Sequence, residues 1–270
     1  MIRGLPLPGK IGLAFVVLWL VLAVLGSSIA PYPVGAVVSP DVYGALTWKH
    51  PLGTDYLGRD MLSRILHGAR FTIGLALAAA LAASVTGTGL ALVAATAGGW
   101  IDEVMSRLMD ALISIPSKML ALVMVAAFGS SVALLILTAA VSYTPGAYRI
   151  ARSLAVNVRT LEYVQAARAR GERLPYVARV EILPNMVNPM LADFGLRFVF
   201  VVLLLSGMSF LGLGVQPPDA DLGSLVRENI SGLFEGAPAV VTPAIAIATL
   251  TVSVNLLIDA VSGRARGAEN

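Results

Sequence analysis

Of the 270 residues, 57% are apolar and only 13% are charged, about half the roughly 25% charge of ordinary soluble domains. At a mean hydropathy of +0.82 the chain carries more apolar surface than one aqueous core of this size buries, so part of its exterior faces lipid. With no cysteine, two histidines and a net charge of +3, it offers no disulfide, thiolate or clustered-histidine metal site and no case for nucleic acid, and leaves its redox compartment open.

The stretches 11–40, 71–101, 119–148, 198–218 and 236–258 contain no Asp, Glu, Lys or Arg, and each exceeds the roughly 20 residues that cross a bilayer. A sixth span comes from 105–128, apolar apart from Arg107, Asp110 and Lys118, and ends at the turn Gly129-Ser130-Ser131. The expected spans are 11–30, 71–97, 105–128, 131–150, 189–213 and 239–260, an all-α integral membrane protein of six helices. Arg3, Lys10 and the apolar run before Ala30 also resemble a cleavable signal. The uncharged run lasts 30 residues, longer than a signal core of roughly 7–15, so a retained first helix is expected. In the second span Gly74, Ala78, Ala82 and Thr86 form a stripe of small residues that admits a close helix neighbour, inside the bundle or in a second subunit.

Segments 1–10, 98–107, 149–184 and 261–270 hold 12 of the 19 lysines and arginines, whereas the opposite loops hold Lys49, Arg59, Arg64, Arg70 and Arg227. The positive-inside rule therefore puts both termini in the cytoplasm, with a tail at 261–270. Loop 214–238, where Asp219, Asp221, Glu228 and Glu235 outnumber Arg227, falls outside.

Seven arginines crowd 149–184. Thr160 is placed to cap a helix with Glu162 in its first turn and Arg168 and Arg170 in its last. Gly171 ends it and Pro175 starts another. Gln165-Ala166-Ala167 leaves a face of small side chains suited to another protein's groove. By charge alone the loop serves equally to enforce topology. Asp193 and Arg197 are spaced for a local ion pair, and Asp259 sits near solvent. Lys118, two residues past a kink expected at Pro116, would cost at least about 2.5 kcal/mol facing lipid. It should pair with Asp110, face a partner, or line a wet route for an anionic solute.

Three segments, in order, carry a resemblance. Gln165-Ala166-Ala167, Gly171 and Leu183-Pro184 resemble the docking loop of bacterial ABC importer permeases, with Gln165 where the pattern has Glu and Glu181 where a simple form has Ile. His50-Pro51-Leu52-Gly53-Thr54-Asp55 with Leu57-Gly58-Arg59-Asp60-Met61-Leu62-Ser63-Arg64, and Phe210-Leu211-Gly212-Leu213-Gly214-Val215-Gln216-Pro217-Pro218, resemble the C-type permease of dipeptide, oligopeptide and nickel importers. The chain divides accordingly into 1–70, a first helix and outer segment, and 71–260, a permease core of type I importer fold. Residues 57–66 are read as a short amphipathic helix along the outer interface.

The resemblance implies ATPase coupling through Glu162, Tyr163, Gln165, Ala166, Ala167, Gly171, Leu183 and Pro184, and a pathway past Lys118 and Asp110. It implies a homologous B-type permease, two ABC ATPases carrying ATP and magnesium, an extracytoplasmic solute-binding protein and the bacterial cytoplasmic membrane. No cofactor, metal or catalytic residue is expected on this chain: none of its three lysines completes a phosphate-binding loop. An intramembrane serine protease using Ser209 lacks a nearby histidine base. A secondary transporter would show inverted repeats, and none is visible. Short peptides lead nickel chelates, opines and glycosides as cargo.

Overall fold

The computed structural model describes residues 5–267, with side chains through Ser262. Arg3 and residues 268–270 lie outside the described residues, as do the side chains of Arg264 and Arg266 in the expected tail. Among the described residues nine α-helices follow in order: α1 Leu7–Ile29, α2 Met61–Ala97, α3 Gly99–Ile113, α4 Ser117–Phe128, α5 Val132–Arg159, α6 Glu162–Ala169, α7 Leu174–Phe210, α8 Leu222–Glu228 and α9 Pro238–Gly267. Helix α7 contains a π-helical stretch, Val177–Ile182, and a 3-10 turn, Ile230–Glu235, separates α8 from α9.

Helices α1, α2, α7 and α9 are long and apolar enough to cross a membrane, and α3 with α4 makes a fifth candidate bent by 83°. Helix α5 has the length, 28 residues, but its middle is the polar run Ser142-Tyr143-Thr144-Pro145-Gly146. Several helices outrun the apolar pattern. At 37 residues, α2 reaches about 55 Å against a hydrocarbon core of about 30 Å, and it begins ten residues before the expected 71.

That early start corrects the reading of residues 57–66, and the division at 70/71 falls inside α2. No separate interfacial helix forms, because its polar side is turned inward: Asp55, Asp60 and Arg64 are 0%, 1% and 8% exposed. Asp60 caps α2 by accepting from the Ser63 N–H at 2.8 Å and the Ser63 hydroxyl at 2.7 Å, and it holds His50 Nδ1 at 2.9 Å.

Packing depends on small residues. Helix α1 buries little more than Gly9, Gly12, Trp19 and Gly26. A Cβ at Gly12 would stand 2.7 Å from the Ser253 carbonyl of α9, and one at Gly26 would stand 2.8 Å from the Leu66 carbonyl of α2. Helix α2 lies along α5 through Ala76, Ala80, Ala83, Gly87 and Ala91. The stripe read from the sequence runs beside this line rather than along it: Gly74 is exposed and a side chain there would meet nothing, Ala78 and Ala82 are half-buried, and Thr86, although exposed, pairs its hydroxyl with that of Thr144 of α5 at 3.0 Å. A helix turns about 100° per residue, so a pattern one or two positions away faces another direction.

Two apolar cores result. One gathers Met61–Ala80, Leu135, Ala139, Phe198–Met208, Leu222, Leu225 and the N-terminal half of α9. The other holds Ala91–Ala95, Tyr148–Ala155, Val164, Val177, Ile182 and Met186. Near the seam between them lies the ion pair expected from the i, i+4 spacing. Arg197 Nη2 donates to Asp193 Oδ2 at 2.6 Å and Oδ1 at 2.9 Å, and Nη1 donates to the Tyr143 carbonyl at 2.8 Å. Both side chains are under a tenth exposed.

Arg197→Met should leave Asp193 buried without its partner, a loss of about 3–5 kcal/mol. The double variant Asp193→Leu/Arg197→Met should recover most of it. Thermal unfolding in detergent checks this, and equal losses in the single and double variants would count against the pair.

Candidate functional site

The arginine-rich segment folds as the end of α5, then α6, a left-handed turn and the first turns of α7. Because α5 runs to Arg159, Thr160 ends that helix rather than starting the next. It has helical φ and ψ of −80° and −11°, and its hydroxyl donates to the Asn157 carbonyl at 2.7 Å. Leu161 takes the extended conformation before α6 and provides no side-chain cap. Gly171 closes α6 at φ +84°. Its N–H donates to Arg168 O at 2.9 Å and the Glu172 N–H donates to Ala167 O at 3.2 Å, the paired bonds of a Schellman ending.

Helix α6 has two unlike sides. Inward, Val164 and Ala167 are fully buried, and Val164 joins the core that holds Ala91, Ala95, Ala151, Val177 and Ile182. Arg168 Nη2 donates to the Thr96 carbonyl at 2.8 Å and Arg159 Nη1 to the Ala95 carbonyl at 2.7 Å. These carbonyls belong to the last turn of α2, which has no intrahelical donors, and two cations there also suit its dipole. Burial, and then the nearby Arg159, lower the pKa of Arg168 from the usual arginine value, yet a guanidinium stays charged. Outward, Glu162, Tyr163, Gln165 and Ala166 are exposed.

The small face is therefore divided: Ala166 is open, but Ala167 is core rather than contact surface. Leu183 is half-buried against the same core and Pro184 is exposed. Both sit inside α7, not in a loop. Pro184 has no N–H to donate and crowds the preceding turn, and the widened π-helical stretch lies directly before it.

At the far end of the bundle the segment 50–60 and the loop after α7 lock together. Asp55 accepts from Arg59 Nε at 2.6 Å and Arg64 Nη1 at 2.8 Å, while Glu228 of α8 takes Arg64 Nη1 at 2.7 Å and Arg59 Nη2 at 3.2 Å. Asp221 is no solvent-facing loop acid. It caps α8 through the Ser224 N–H at 2.9 Å and receives the Ser209 hydroxyl, so Ser209 anchors a loop. Burial raises the pKa of Asp221, opposed by the hydrogen bonds from Ser209, Ser224 and Val215. Asp221-x-x-Ser224 before Leu225 is a capping pattern legible in the sequence. The pairing of Arg64 with Glu228, 164 positions apart, had no local signal.

Lys118 and Asp110 do not meet. The third span breaks at Pro116, so Lys118 sits in the first turn of α4, exposed, with no carboxylate within 4.0 Å among the described residues. Asp110, near the end of α3, lies 3.9 Å from Arg149 Nε, with both side chains more than half exposed. Between the break and α5 is a cleft of about 450 Å³, lined by Ser117, Ser142, Tyr143, Gly146 and Arg149 among aliphatic residues.

Long apolar helices, with a short helix 162–169 packed against the ends of α2, α5 and α7, define a multi-pass membrane protein. Residues 87–267 match the family described as binding-protein-dependent transport system inner membrane component. The chain belongs to that family. It is 30% identical to the dipeptide transport system permease protein DppC of Haemophilus influenzae, over 92% of this chain and 86% of that protein. It is 32% identical to the glutathione transport system permease protein GsiD of Pectobacterium atrosepticum, over 78% and 70%. A crystal structure of an amino acid ABC transporter with histidines shares the fold at a TM-score of 0.53 and 18% identity, covering 76% of this chain and 93% of that one. The chain is thus a permease subunit of an ABC importer in a bacterial inner membrane, rather than a secondary transporter.

Substitutions in α6 should separate its two sides. Ala167→Leu overpacks a closed core and should cost about 1–3 kcal/mol, whereas Ala166→Leu, on the open side, should leave thermal unfolding unchanged. Equal effects would mean that Ala167 is not the inward residue.

Proposed function

We propose that this permease imports short peptides and forms half of a translocation pathway with a homologous B-type permease, driven by two separate ABC ATPases. An extracytoplasmic solute-binding protein delivers the peptide. Support for the cargo comes from the dipeptide and glutathione transport relatives. Nickel chelates, opines and glycosides stand behind it. Counting α5 and the broken α3–α4 unit gives six spans, with α6 and both termini in the cytoplasm, as the lysine and arginine distribution indicates.

The observation that carries the mechanism is the two-sidedness of α6. Its exposed face, with Glu162, Tyr163, Gln165 and Ala166, is available to an ATPase groove. Its buried face is tied to the helix ends by Val164, which shares a core with α2, α5 and α7, and by Arg168, which bonds the end of α2, while Arg159 ties the end of α5 to α2. ATP and magnesium act on the partner, whose closure pulls α6, and α6 moves the helix ends together. Gly171, Leu183 and Pro184 set the angle between α6 and α7. The chain makes and breaks no bonds. Lys118 and Asp110 lie beside the route, and the open stripe Gly74, Ala78 and Ala82 offers the second permease a close-packing face.

A side chain at Gly171 would meet no neighbour within 4 Å, so its penalty is purely conformational, about 1–2 kcal/mol for a left-handed L-residue. Gly171→Val should leave insertion and permease pairing intact while weakening ATPase docking. Uptake of dipeptide and stimulated ATP hydrolysis should fall together in proteoliposomes holding all subunits, and Arg173→Ala should do much less. Full coupling in Gly171→Val would remove the lever role.

Orientation has its own test. Asp219→Cys should react with an impermeant thiol reagent in intact cells, and Arg170→Cys only after permeabilisation. Labelling of Arg170→Cys in intact cells would reverse the topology.

A further inference from the structure

A pocket of about 260 Å³ opens where α1 ends. Its walls are Ser27 of α1, the turn 32–36, the first turns of α2 and residues 218–220 of the loop after α7. Helix α1 points apolar side chains away from the bundle up to its last residue: Val24, Leu25 and Ile29 are 75%, 50% and 57% exposed. Such a surface belongs in hydrocarbon, so a polar pocket directly beyond it falls at the level of the lipid headgroups.

Six acidic or basic side chains line the pocket, and three of them are already engaged. Arg59 and Arg64 are held by Asp55 and Glu228, and Asp60 is held by His50 and Ser63. Arg70, Asp219 and His67 remain. Arg70 and Asp219 are both exposed. Among the described residues no acid lies within 4.0 Å of the first and no base within 4.0 Å of the second, so the two share one pocket without pairing. His67 is loosely held, its Nε2 standing 3.4 Å from the Tyr32 carbonyl, outside the usual roughly 2.7–3.2 Å. We propose that this pocket binds the headgroup of an outer-leaflet phospholipid that carries both a phosphate and a primary ammonium, as phosphatidylethanolamine does. Arg70 and His67 take the phosphate, and Asp219 takes the ammonium. An anionic headgroup such as that of phosphatidylglycerol would leave Asp219 facing a like charge, and the quaternary ammonium of phosphatidylcholine has no N–H to donate to it. The volume lies below the roughly 300–1,000 Å³ of sites that enclose a whole small molecule, which favours a headgroup whose chains stay in the bilayer. The site adds a lipid ligand to the importer reading and is independent of the cargo. Its leaflet follows from the orientation given above, but its headgroup chemistry does not.

The complete complex, purified in detergent with its partner permease, ATPases and binding protein, is exposed to an equimolar mixture of phosphatidylethanolamine, phosphatidylcholine and phosphatidylglycerol with the same acyl chains. Native mass spectrometry, with dissociation of the complex in the gas phase, reads the lipid retained on this subunit. We expect phosphatidylethanolamine in excess, and a loss of roughly tenfold in its retention with Arg70→Met, the effect of one hydrogen bond to a charged group. Arg70→Lys should keep most of the retention. Asp219→Asn should abolish the preference over phosphatidylcholine while phosphate binding persists. Thermal unfolding in lipid-free detergent should be the same for each variant and the unsubstituted complex, and phosphatidylethanolamine should raise the midpoint only where Arg70 or its lysine replacement is present. Equal retention of the three lipids would overturn the proposal, as would retention indifferent to both Arg70→Met and Asp219→Asn. Displacement of the lipid by an equal concentration of water-soluble glycerophosphoethanolamine would assign the pocket to a dissolved ligand and overturn it too. So would unchanged lipid retention in Arg70→Met together with a loss of affinity for the binding protein, which would make the pocket a protein contact.

Discussion

A polypeptide in hydrocarbon has no water with which to satisfy its backbone, so each peptide group must find its hydrogen bond within the protein. Most of this architecture follows from that constraint. It produces continuous helices such as α2 and α7, 37 residues each, in which nearly all peptide groups bond locally. Departures from regular helix then mark places with another source of hydrogen bonds. The carbonyls ending α2 receive Arg159 and Arg168. The loop after α7 folds back so that Leu213 N donates to Met208 O at 3.0 Å. At the α3–α4 elbow the exposed break borders a cleft of about 450 Å³ lined in part by Ser117, Ser142, Tyr143 and Arg149.

Within that constraint, side-chain size decides how helices approach. Lipid and leucine are equally apolar, so burying leucine against leucine yields little in a bilayer, and close contact between small residues yields more. Helix α1 touches its neighbours through glycines and α2 meets α5 through alanines and Gly87. Larger side chains project outward, among them Phe15, Leu18 and Val24 of α1. The two cores differ accordingly. One is a bundle centre, while the other ties α6 to three helix ends.

Charged residues sort into three uses. Some neutralise one another inside the protein, as Asp55, Arg59, Arg64 and Glu228 do at one end and Asp193 with Arg197 near the seam. Removing one member of such a group strands the others, so these contacts act as locks. Others complete helix termini, notably Arg159, Arg168 and Asp221. A third set, including Lys118, Arg170 and Arg173, is exposed.

The sequence by itself determined the class of this protein. Apolar runs that exceed a bilayer, an uneven lysine and arginine distribution and three ordered motifs are local properties, and each states its meaning within a few dozen residues. Gly171, Pro116 and the Asp193–Arg197 spacing were legible for the same reason, since a left-handed turn, a helix break and an i, i+4 pair are decided by near neighbours. Tertiary structure decided what depends on direction and distance. It turned Ala167 inward and Ala166 outward, and moved the packing stripe of α2 from Gly74–Thr86 to Ala76–Ala91. It converted residues 57–66 from a supposed interfacial helix into a buried lock, and separated Lys118 from Asp110. A residue's place around a helix and the partner that completes its charge are set by packing between segments far apart in the chain, and periodicity along one segment does not encode that.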